Sequence, residues 1–143
     1  MESPKQLRTS TAVPMKSAGM LTPDMIMSKL FNMHTKAHFY HLQTTSFAQH
    51  NMLDALYKDL IESKDAISEY LLGIQAPKRF GAFMNEPVEP FSEAAVAKFL
   101  DEGFSFTVAI CEYGEQRNLE ELCNLASNLQ GSFAKAKYFN TFK

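Results

Sequence analysis

Apolar side chains recur at steps of three and four along most of this chain, and breakers divide the rhythm into four stretches. Thr22-Pro23-Asp24 starts the first stretch. It supplies a capping hydroxyl, a proline whose missing N–H costs nothing in a first turn, and an acid near the positive helix end. Met27, Leu30, Phe31, His34, His38 and His41 follow at helical spacing, which predicts a first helix over about 23–43. After the polar break Gln43-Thr44-Thr45-Ser46, a second helix is predicted from Phe47 to Leu72. Leu53, Leu56, Leu60, Ile67 and Leu71 lie on one side of it, and Gly73 is its expected C-cap.

Residues 74–91 contain Pro77, Gly81, Pro87 and Pro90, too many breakers for a regular helix, with room for a short turn around 78–84. Ser92 opens a third helix to about Tyr113 through Val96, Phe99, Leu100, Phe104, Val108 and Cys111, and Gly114 is expected to stop it. Asn118-Leu119-Glu120-Glu121 has the cap-then-acid spacing of a capping box. Leu122, Ala126, Leu129 and Phe133 carry a fourth helix to about Tyr138. Four helices joined short, long, short predict an all-α four-helix bundle with one long crossover connection. No βαβ alternation, hairpin dipeptide or internal repeat competes with it, and the breaks come too often for an extended coiled coil.

The length of 143 residues fits one domain, expected over 22–143, preceded by an arm or tail over 1–21. Hydrophobic residues at 45% and charged residues at 21% are ordinary globular values. No apolar run approaches the roughly 20 residues a membrane span needs, and no apolar stretch follows the early basic residues, so the expectation is a cytoplasmic protein with no membrane partner. A net charge of −2 is unlike a dedicated nucleic-acid binder. DNA attraction would have to come from the arm, where Lys5, Arg8 and Lys16 outweigh Glu2. Cys111 and Cys123 sit among apolar neighbours and are expected to pack as reduced thiols.

All four histidines fall between positions 34 and 50, and two of them head a ladder of metal-ligand types: His38, His50, Asp54, Asp65 and Glu69. Steps of four and eleven turn a helix by about 400° and 1100°, so His50, Asp54, Asp65 and Glu69 share one stripe beside the apolar sector. Two imidazoles and three carboxylates suit iron, with zinc or manganese as substitutes. Two alternatives stand beside this reading: a solvated acidic face, and a zinc site built from His34, His38 and His41. No Glu is followed by His three residues later, so the usual di-iron site at a bundle's centre is excluded.

The run from His38-Phe39 through Phe47, His50, Asp54, Tyr57, Asp65 and Glu69 resembles the Dps family, the mini-ferritins of starved bacteria. Its five ligand types stand at that family's spacings of twelve, four, eleven and four. The resemblance implies a ferritin-like subunit, commonly a hollow dodecamer, whose iron-oxidising site forms between two chains. His38, His50 and Asp54 would come from one chain, and Asp65 and Glu69 from its partner. Ferrous iron would be oxidised by peroxide or oxygen and stored as ferric mineral, which protects nucleoid DNA. The chain departs from the family at Phe39, where Trp is frequent, at Thr44 and Thr45, where a glycine is frequent, and at Tyr70, where Arg is common. Those departures leave a second reading, a structural or DNA-associated assembly subunit of the same fold with little oxidase activity.

Overall fold

Four helices form where the apolar rhythm predicts them, and the computed structural model, which describes residues 20–142, is all-helical. All but the last two residues of the expected 1–21 arm lie outside the described residues. The helices are α1 (Pro23–Gln43), α2 (Phe47–Ile74), α3 (Glu93–Gln116) and α4 (Glu120–Phe139). Three of them begin on a hydroxyl cap. Thr22 accepts from the Met25 N–H at 3.1 Å, Ser46 from Gln49 at 3.2 Å and Ser92 from Ala95 at 2.9 Å.

The two glycines expected to end helices do not. Neither has a positive φ, so α2 runs through Gly73 to Ile74 and α3 through Gly114 to Gln116. The left-handed residue of the α3–α4 turn is Asn118, at φ 60°. Asn118 is thereby used for reversal, and the capping box expected from it does not form; Leu119 is the N-cap and gives no side-chain bond. Gly114 serves close approach instead. A Cβ there would stand 3.0 Å from the Leu119 carbonyl, whose own N–H donates back to the Gly114 carbonyl at 2.8 Å.

The helices pack most extensively as two hairpins, α1 with α2 and α3 with α4. The hairpins join mainly through α2 and α4, with little contact between α1 and α3. Leu30, Leu53, Leu60, Val96, Ile110 and Leu129 are among the fully enclosed side chains of one core fed by all four helices. Tyr40 is buried, whereas Phe31 is 39% exposed and lies between the Phe83 ring and the Lys64 ammonium.

The connection 75–92 carries no helix at 78–84 and runs as an extended strap along α1. The Gly81 N–H donates to Asp24 in the first turn, Met84 to the Ser28 hydroxyl and Glu86 to the Asn32 side chain. Asn32 in turn donates to the Met84 carbonyl at 2.8 Å, and the Tyr40 hydroxyl donates to the Glu89 carbonyl at 3.0 Å. Ser28 and Asn32 are buried polar groups on α1, and these bonds satisfy them. The strap delivers α3 to the far end of α1, where Gln49 donates to Glu93 and to Asn140. Consequently α3 runs antiparallel to α1, and α4 returns to the same end.

The cysteines correct the sequence reading. Cys111 and Cys123 are joined as a disulfide across the α3–α4 turn, with Cα atoms 4.2 Å apart. The cause is the tight turn, which places the last turns of α3 opposite the first turn of α4. No helix among the described residues is long and apolar enough to cross a membrane.

Candidate metal centre

The α1–α2 hairpin gathers all four histidines along one groove, because the apolar rhythm of each helix turns its histidine-bearing flank toward the other. His34 and His38 of α1 stack on Tyr57 of α2, with ring centroids 4.7 and 4.3 Å away. One turn nearer the loop, His41 stacks on His50 at 4.0 Å. The last pair is also clamped through the backbone: His50 Nδ1 meets the His41 carbonyl at 3.0 Å, and His41 Nδ1 meets the His50 carbonyl at 3.3 Å.

A carbonyl oxygen can only accept, so each Nδ1 in this clamp carries the hydrogen. That places the ring lone pair on Nε2. A histidine oriented through one nitrogen and free to bind through the other is the usual arrangement of a metal ligand.

Asp54 follows His50 by one helical turn and is half-buried. Its carboxylate accepts from the Lys58 ammonium at 2.9 Å. That hydrogen bond holds its pKa below the usual carboxylate value against a smaller desolvation effect, with further help from Lys58, His41 and His50. The acid is therefore ionised, as a ligand must be. His34 is held below the ordinary histidine value, first by burial and then by Lys64 and His38, and its Nε2 is buried without a hydrogen-bond partner.

Asp65 and Glu69 lie elsewhere. Both are exposed on the second half of α2. Eleven residues of helix separate Asp54 from Asp65, about 16 Å along the axis. His38 stacks on Tyr57 while His50 stacks on His41, so among the described residues His38, His50 and Asp54 do not bring their ligand atoms within 4.8 Å of one another, and Asp65 with Glu69 stands farther along α2. Among the described residues, the trio of metal-type ligand atoms that closes to within 4.8 Å is a different one, Cys111, Glu115 and Cys123.

Tyr57, His41 and Lys58 are site neighbours to which the spacing of the ladder gave no role. Tyr57 lies seven residues after His50, on the same helical face, and that period is the signal that locates it. Tyr70 is half-buried and packed against the core.

Residues 41–139 match the family model described as a family of unknown function (DUF5856). No curated protein matches. No solved structure matches either.

Proposed function

We propose, for a chain that belongs to this family of unknown function, that it is a Dps-like mini-ferritin subunit: it oxidises ferrous iron at a site completed by a second copy of itself and sequesters the ferric product. The observation that carries the reading is the His41–His50 clamp, which engages His50 through Nδ1 and leaves Nε2 as its second nitrogen, one helical turn before an ionised Asp54. The distance of Asp65 and Glu69 from the other ligands is what a shared site requires. In a twofold dimer each surface patch meets its own copy, so the His38, His50 and Asp54 group of one chain can face the Asp65 and Glu69 group of the other. The lengthwise strap between two helical hairpins is likewise the connectivity of a ferritin-like bundle.

Iron is substrate here. Two ferrous ions each give one electron to hydrogen peroxide, its O–O bond breaks, and two protons complete two waters. The carboxylates favour the ferric state by their negative charge, and the clamped histidine keeps its lone pair available without a costly reorientation. Lys58 must release Asp54 when iron enters, which is an inexpensive exchange for an exposed ion pair. A dodecamer is the assembly that the same reading implies.

Complementation between two inactive variants tests this. A His38→Ala/His50→Ala chain and an Asp65→Ala/Glu69→Ala chain should each lose peroxide-driven iron oxidation. Dissociated and reassembled together in equal amounts, they form mixed dimers in about half of cases, each with one intact site of two, so about a quarter of wild-type activity should return. Activity that stays absent in the mixture, while the assembly reforms, removes the shared-site reading.

Tyr70 supports a second reading, an assembly or DNA-associated subunit without oxidase activity, since the position that commonly bears Arg in Dps proteins here faces the core. Gel-shift assays with the whole chain and with a chain lacking residues 1–21 discriminate it. Phosphate binding through the arm weakens steeply as salt rises.

A further inference from the structure

We propose that Cys111, Cys123 and Glu115 form a redox-gated zinc site at the α3–α4 turn, closed as the disulfide and competent as the dithiol. Their three ligand atoms lie within 4.8 Å of one another. Glu115 stands one helical turn after Cys111 on α3, and Cys123 meets them from the first turn of α4. Both cysteines are half-buried and Glu115 is exposed, so the trio has a protein floor and an open side.

The chemistry of the donors points to zinc. Two thiolates and a carboxylate are a mixed soft and hard set that Zn²⁺ accepts in tetrahedral geometry, with water in the fourth position. A tetrahedral zinc holds its sulfurs about 3.8 Å apart at Zn–S bonds near 2.3 Å, a separation that side-chain rotation supplies once the S–S bond is open.

Gating follows from the covalent chemistry. A dithiol reductant supplies two electrons and two hydrogens; the Cys111–Cys123 bond opens, each sulfur gains one S–H, and the reductant leaves as its own disulfide. Zinc then displaces both thiol protons to solvent. In the disulfide form neither sulfur is a thiolate, and Glu115 alone holds no metal.

This site lies at the opposite end of the molecule from the His41–His50 clamp and is independent of the iron reading. Cobalt(II) is the probe, because only a sulfur-bound ion gives thiolate-to-cobalt charge transfer. The whole chain, reduced under anaerobic conditions and shown to expose two titratable thiols while its helical circular dichroism persists, should develop that band with Co²⁺ and lose it to one equivalent of Zn²⁺. The oxidised chain should show none. C111S and C123S should each abolish the band, and E115Q, at an exposed position that does not threaten folding, should weaken binding by about tenfold or more. H50A should leave the band intact, which separates this outcome from any failure of the iron site. The proposal is overturned if the folded chain never releases its thiols, if the reduced chain gives no band, or if E115Q binds as tightly as wild type.

Discussion

At the scale of single residues, glycines give the sharpest contrast in this chain. Gly103 on α3 is buried, and a Cβ there would penetrate the Phe133 ring across the α3–α4 contact. Gly131 on α4 has nothing within 4 Å of the same added atom. Gly103→Ala should therefore destabilise the protein by about 1–3 kcal/mol through overpacking. Gly131→Ala should stabilise it by up to about 1 kcal/mol through helix propensity. Denaturant unfolding of the two variants measures both, and equal effects would contradict the packing described for α3 against α4. None of this is readable from spacing alone: a helical glycine looks the same in sequence whether its neighbour is a ring or solvent. The histidines behave similarly. Their spacing placed them on one flank, but only the hairpin shows that His41 and His50 orient each other through their carbonyls.

At the scale of elements, the strap is the segment whose energetics the structure adds most to. Glu86 sits between Lys29 and Lys36, with N–O distances of 3.3 and 3.0 Å. Burial alone would raise its pKa, but the Lys36 hydrogen bond and the two ammonium charges outweigh it and hold the carboxyl below its ordinary value of 4.5. A depressed folded-state pKa means that the unfolded chain binds the proton first. The contribution is thus complete above the unfolded value and is lost as pH falls through the folded one. Glu86→Gln should cost about 1 kcal/mol at neutral pH, and its difference from wild type should shrink to nothing below the carboxylate range. Unfolding free energies across that range measure it; a constant gap would show that Glu86 acts through packing alone. The four helices were legible in sequence because their apolar periods are long and three begin on Ser or Thr. Their ends were less so. Gly73 and Gly114 resemble stop signals, yet terminal position depends on backbone angles that a glycine permits without requiring. The strap's course was illegible as well, since its bonds to Ser28 and Asn32 join residues more than 50 positions apart.

For the whole molecule, the governing fact is that Asp54 and Asp65, two of the candidate ligands, stand about 16 Å apart along α2. Under the shared-site reading, activity belongs to the dimer and not to the folded monomer. Specific iron-oxidising activity should therefore fall on dilution below the dimer dissociation constant, while helical circular dichroism stays constant. Activity per chain that is independent of concentration, in a protein that sedimentation shows to be monomeric, would assign catalysis to one chain. The ladder's spacing could be read in one dimension, but the sequence could not show which half faces a neighbour; that depends on a surface which a single chain leaves bare.

The strap that lies along α1 is also the main-chain link between the two hairpins, for the disulfide joins α3 to α4 within the second of them. Lys78 and Arg79 are exposed near its start, ahead of every residue that fastens it to α1. A tryptic nick there should yield two fragments held together by the α2–α4 packing and by residues 81–89, which belong to the second fragment and grip the first. Every proposed iron ligand then resides on one fragment and both cysteines on the other. Co-refolding the two separately expressed pieces should then restore the helical circular dichroism of the whole chain, with each chemistry supplied, labelled or withheld on its own.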